Sequence, residues 1–144
     1  MKKFIILLIA TFLIGVVPSL LTGSSVEGLT LPALYPPKIV FPIVWTILFI
    51  LMTISIYLAT KYDDMPYIVY FIQLLINACW TFIFFGLKMR LFAFIWILIL
   101  LVIVGYMTYS FFKYNKVSGY LLIPYIVWLL IAGYLNFAIY LLNK

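Results

Sequence analysis

Long apolar runs, broken only by short clusters of charged and turn-forming residues, govern what this chain can fold into. Charged residues fill 8% of the 144 positions and hydrophobic residues 69%, whereas a water-soluble domain carries about a quarter charged residues. A spanning helix needs roughly 20 apolar residues to cross a hydrocarbon core about 30 Å thick, and each run is of that order. The breaks place spans at 4–22, 40–60, 67–87, 91–112 and 119–142, with one long connection at 23–39. Because only helices and closed barrels satisfy their backbone in lipid, runs of this length imply an all-α integral membrane protein. The expected architecture is a five-transmembrane-helix bundle, one membrane domain over 1–144, multi-pass in the cell membrane.

The first run, Phe4 to Val17 after Met1-Lys2-Lys3, also has the charged and apolar regions of a secretory signal. It continues through Pro18-Ser19-Leu20-Leu21 without a small-x-small cleavage site, so it reads as the first span. The other connections, 61–66, 88–90 and 113–118, are short, which forces neighbouring helices antiparallel. Lys2, Lys3, Lys61, Lys113 and Lys116 fall on the amino-terminal side, and Lys38, Lys88, Arg90 and Lys144 on the other. Counting the terminal amine tips this near balance toward an amino terminus in the cytoplasm.

Charge and composition exclude several function classes. The nine Lys and Arg residues are scattered and form no block that could track a phosphate backbone, so nucleic acid is not an expected partner. With no histidine and the single cysteine Cys79, neither a metal centre nor an intrachain disulfide is expected. No ionisable side chain lies deep in a span, which argues against an ion-coupled transporter. What the spans hold instead is a set of neutral polar groups and large rings, the lining expected of a pocket for a flat, mostly apolar ligand.

Those groups are patterned. On the third span Gln73, Asn77, Trp80, Thr81 and Phe84 form one helical stripe, which should face protein or cavity. Trp45, Phe49, Met52 and Ile56 repeat similarly on the second, and Pro124, Trp128, Ala132 and Asn136 step by four on the fifth, where Ala132 leaves space between larger neighbours. Trp45, Trp80, Trp96 and Trp128 all fall inside spans, where an indole N–H must find a partner or face a polar cavity. The alternative is that Gln73, Asn77 and Asn136 are interhelical hydrogen-bond glue and the tryptophans are packing. On the first span Thr11, Gly15, Ser19 and Gly23 make a small-residue ridge that lets another backbone approach. The 23–39 connection, with Glu27, three prolines and two glycines, reads as a lid or binding element. Leu135, Tyr140 and Lys144 meet the permissive pattern proposed for sterol contact.

Three segments carry a family resemblance. Pro36-Pro37-Lys38-Ile39-Val40-Phe41-Pro42-Ile43-Val44-Trp45-Thr46, followed by Phe49, is similar to a double-proline start of a second helix with Pro-x-x-Trp-Thr. Gln73-Leu74-Leu75-Ile76-Asn77-Ala78-Cys79-Trp80 with Phe84-Phe85, and Pro124-Tyr125-Ile126-Val127-Trp128 with Ala132, Leu135-Asn136 and Leu142-Asn143, match the third and fifth helices of the same pattern. Together they resemble the translocator protein or tryptophan-rich sensory protein family, TspO/MBR. The resemblance implies a five-helix bundle, usually dimeric, with an interhelical pocket that opens toward the first loop. It further implies porphyrins such as protoporphyrin as ligands, and cholesterol or synthetic isoquinoline drugs in some members; no resident cofactor is expected, and membrane lipid, with sterol as one form, is a second expected partner. Carried over by position, the pocket would comprise Ser19, Pro42, Trp45, Phe49, Asn77, Trp80, Trp128, Ala132 and Asn136. Transport, sensing and light-dependent oxidation of bound porphyrin, with Trp45 and Trp128 as redox-active residues, all stay open, as does a lipid carrier or membrane scaffold. The first loop departs from the pattern, since Pro32-Ala33-Leu34 stands where members carry a Lys-Pro-x-Trp stretch.

Overall fold

The computed structural model describes residues 1–23 and 26–144, all helix and connecting turns with no strand among them. The elements are α1 (Lys2–Thr22), α2 (Val40–Ala59), α3 (Pro66–Thr81), a π-helical turn (Phe82–Gly86), α4 (Arg90–Tyr114), α5 (Lys116–Leu121) and α6 (Ile123–Asn143). Taking α3 with its π turn and α5 with α6 gives five membrane spans of 20 to 28 residues, each apolar enough to cross a bilayer. At 1.5 Å per residue even the shortest reaches about 30 Å.

The helix ends follow local chemistry. Pro66 starts α3, where its missing N–H costs nothing. The Asn115 side chain accepts from the Ser118 backbone N–H at 3.2 Å, an N-cap that starts α5 within the stretch read from its charges as a connection. Pro124 cannot donate to the turn before it, and the fifth span is accordingly broken at Leu122, between α5 and α6. The third span differs from a plain helix as well, because its last turn widens to π geometry before the chain reverses through Lys88 at φ 58°. Arg90, read from its charge as part of a connection, is instead the first residue of α4.

Around the bundle α1 lies between α2 and α3, α3 packs on α4, α4 on α6, and α5 closes the ring against α2. At the centre Met52, Ile56, Tyr70, Leu74, Val104, Met107, Phe111 and Tyr125 have no exposure. Polar links stitch the ring together. Ser55 and Ser118 exchange hydroxyl-to-carbonyl bonds of 2.8 and 2.6 Å between α2 and α5. Thr11 on α1 bonds the Tyr70 phenol on α3, and Lys3 snorkels to donate to the Thr60 carbonyl at the end of α2, 3.0 Å away. The outer faces stay apolar, as Ile6, Leu20, Leu21, Val102 and Leu130 illustrate, which is the surface that lipid requires.

Candidate functional site

The small ridge of α1 does what its spacing implies at one position. Gly15 faces Phe49 so closely that a Cβ there would overlap the ring. Phe49 is thereby pressed into the bundle, where its ring lies 5.4 Å from that of Trp45 and 5.5 Å from that of Phe12. Trp45 in turn meets Tyr125 edge-on at 6.3 Å. Three spans thus contribute to one aromatic layer, and contacts of this geometry add roughly 0.5–1.5 kcal/mol each beyond area burial.

Below that layer runs a polar chain. Asn77 donates to the Tyr125 hydroxyl at 2.8 Å, and that hydroxyl donates to the Gln73 side-chain oxygen, also at 2.8 Å. All three residues are buried. Part of the α3 stripe is therefore interhelical bonding centred on Tyr125, a residue that spacing alone did not single out. The available signal was its place within Pro124-Tyr125-Ile126-Val127-Trp128, beside the tryptophan. Tyr125→Phe should cost about 1–3 kcal/mol by stranding Asn77 and Gln73 in a dry interior. The check is a lower thermal midpoint in nanodiscs, with no larger loss on adding Asn77→Ala.

A second ring path descends from the loop. Tyr35 packs on Phe41 at 5.3 Å, and Phe41 meets Trp128 edge-on at 5.7 Å. Burial pushes the Tyr35 phenol above its ordinary pKa, so it stays a neutral ring against its neighbours. Trp128 is only 7% exposed, and its indole Nε1 is buried without a hydrogen-bond partner among the described residues. Trp128 also lines an open groove of about 390 Å³ with Val44, Ile47, Leu48, Pro124, Val127 and Ile131, a volume near the lower end of the roughly 300–1,000 Å³ typical of ligand pockets. A smaller groove of about 340 Å³, lined by Leu34, Leu130, Ile131, Tyr134 and Leu135, shares Ile131 with it.

The remaining tryptophans are occupied. Trp80 donates to the Asn136 side chain at 2.9 Å, and Asn136 donates to the Arg90 carbonyl at 2.9 Å. Trp96 donates to the Ile76 carbonyl at 2.8 Å. Trp80 and Phe84 belong to a separate apolar cluster with Ile83, Ala93 and Ile139, capped by loop residues Leu29 and Tyr35.

The structure thus divides the expected site. Trp45, Phe49 and Trp128 lie in or against the central core, and Asn77 joins them through Tyr125. Trp80 packs on the second cluster and is tied to Asn136 by its indole N–H, and Ala132 is half-buried on α6. Ser19 spends its hydroxyl on the Val16 carbonyl of its own helix, 2.8 Å away, and Pro42 is exposed, its carbonyl accepting from Thr46. Within the sterol-like pattern Leu135 is buried, Tyr140 stacks on Phe137 and Lys144 is exposed, so the three do not form one lipid-facing strip.

The first loop is fastened across the bundle. The Asn143 side chain accepts from the Thr30 N–H at 2.8 Å and donates to the Thr30 carbonyl at 2.9 Å, tying the loop to the end of α6. Asn143→Ala should release the loop. Amide exchange at residues 29–31 should then quicken about five- to tenfold, the equivalent of about 1 kcal/mol for a pair of exposed bonds, while the helices keep their protection.

Comparison with known proteins identifies the family. The TspO/MBR family profile matches residues 5–142. The tryptophan-rich protein TspO of Archaeoglobus fulgidus is 34% identical, covering 98% of this chain and 97% of its own. Protein CrtK of Rhodobacter capsulatus is 33% identical over 84% of this chain and 79% of its own. The translocator protein homolog of Schizosaccharomyces pombe is 33% identical over 78% and 73%. With five membrane-spanning helices and a family match over nearly its whole length, this chain is a multi-pass membrane protein that belongs to the TspO/MBR family.

Proposed function

We propose that this protein binds a flat, largely apolar tetrapyrrole of the protoporphyrin type within the membrane, between α2, α3 and α6, and holds it for transport or sensing. The observation that carries the reading is the Trp128 indole, buried against Phe41 at the lining of an apolar groove with no acceptor for its N–H among the described residues. A donor left dry costs about 1–3 kcal/mol, which a ligand oxygen or ring nitrogen would recover. Trp45, half-buried on α2, would offer its ring to a planar ligand, backed from within by Phe49 and Tyr125, which Asn77 holds in place. The names of the relatives, translocator and tryptophan-rich sensory protein, fit such a role. Titration of the purified protein with protoporphyrin in the dark, followed by tryptophan fluorescence, should give saturable quenching at one ligand per chain. Quenching that rises linearly without saturation, as in protein-free nanodiscs, would remove the reading.

A further inference from the structure

Arg90 is a half-buried cation set against an aromatic ring, and neither the ring layer nor the polar chain uses it. Its guanidinium carbon lies 5.2 Å from the Phe84 ring centroid, and Phe84 is itself stacked on Trp80 at 5.2 Å. The backbone is pinned too, since Asn136 holds the Arg90 carbonyl with one end of its amide and Trp80 with the other. Its Nε is buried with no hydrogen-bond partner among the described residues. The side chain as a whole is only half-buried, and Phe84 beneath it belongs to the cluster against which loop residues Leu29 and Tyr35 pack. The π turn at Phe82–Gly86 sets this geometry by carrying Phe84 under the start of α4. Such turns recur at functional sites.

A guanidinium offers five N–H donors in a planar fork that matches carboxylate or phosphate, and it is the cation that tolerates partial burial on a ring face. Here the ring face is supplied and the position fixed, while the buried Nε donor stays unspent among the described residues. We infer that Arg90, seated on Phe84, is an oxyanion-anchoring residue that takes the carboxylate or phosphate of a molecule whose acidic end reaches its guanidinium. The oxygen pair would bridge the two terminal nitrogens. The same chemistry has two sources, an acidic substituent of the ligand held by the protein or the phosphate of an anionic lipid. The ligand-carboxylate form rests on the porphyrin reading above; the lipid form does not.

The test uses the full chain in phosphatidylcholine nanodiscs, titrated with protoporphyrin and with its dimethyl ester, together with native mass spectrometry of protein isolated from phosphatidylglycerol-containing membranes. Wild type should bind the diacid about tenfold more tightly than the diester, the scale of one charge-assisted pair. Arg90→Gln should erase that preference, Arg90→Lys should keep part of it, and Lys88→Gln, a change of exposed charge two residues away, should leave it intact. If the two porphyrins bind equally well but phosphatidylglycerol is retained by wild type and Lys88→Gln and lost from Arg90→Gln, the oxyanion is the lipid phosphate. Equal porphyrin binding with no Arg90-dependent lipid overturns the inference. Failure to bind either porphyrin sinks the porphyrin reading alone, and the lipid count then decides the fate of Arg90. Thermal midpoints of the variants, with Arg90→Lys as the conservative replacement, separate lost binding from lost fold.

Discussion

Trp128→Phe will weaken protoporphyrin binding about tenfold, and it will do so without a matching loss of stability. One net hydrogen bond is worth about 0.5–1.5 kcal/mol, and 1.4 kcal/mol is a factor of ten in affinity. The indole N–H has no partner among the described residues, so removing it deletes none of their bonds and relieves an unmet donor. Against that relief stands the smaller volume of phenylalanine, which leaves a gap beside Phe41. The two terms oppose each other and should leave the thermal midpoint nearly unchanged. Trp80→Phe should do the reverse, because the Trp80 N–H is already spent on Asn136, and its loss should lower the midpoint. Parallel melting curves and fluorescence titrations of the two variants check the contrast. Equal losses of stability in both would show that the Trp128 N–H has a partner in the free protein.

Gly15→Val should be the most damaging single substitution in the aromatic layer. The Cβ alone would overlap the Phe49 ring, and that ring cannot simply retreat, since Trp45 and Phe12 flank it and it is 4% exposed. Overpacking of this kind costs about 1–3 kcal/mol. It also drives Phe49 toward Trp45, so ligand quenching should fall more than tenfold even at temperatures where the protein stays folded. A second substitution, Phe49→Ala, should restore part of the stability by making room for the valine. A Gly15→Val protein with an unchanged melting midpoint and wild-type quenching would show that α1 and α2 are further apart than this packing requires.

The two predictions draw on different layers of legibility. Span number, helix class and the facing of the α3 stripe follow from apolar run length and helical period, because lipid allows few alternatives. The roles within the stripe do not follow. Periodicity places Gln73, Asn77 and Trp80 on one face, yet which becomes hydrogen-bond glue depends on partners more than 45 positions away: Tyr125 for Gln73 and Asn77, and Asn136 for Trp80. The same holds for the four tryptophans, identical in sequence terms, of which Trp80 and Trp96 find acceptors while Trp128 does not. Asn115 capping of α5 and the π turn before Arg90 were hidden for a local reason, since charged residues marked breaks there while the backbone continued as helix or began it early. Arg90 reads from its charge as part of the 88–90 connection, because the ring it sits on, Phe84, lies across a chain reversal that local sequence does not reveal.

The measurement that bears most directly on the site is the set of indole N–H signals in a nitrogen-15 correlation spectrum of the protein in nanodiscs, assigned by replacing each of the four tryptophans in turn. On addition of protoporphyrin the Trp128 signal should move furthest, toward the hydrogen-bonded range, while Trp80 and Trp96, whose donors are already engaged, move little. A Trp128 signal that stays fixed while saturable binding is seen would contradict the account.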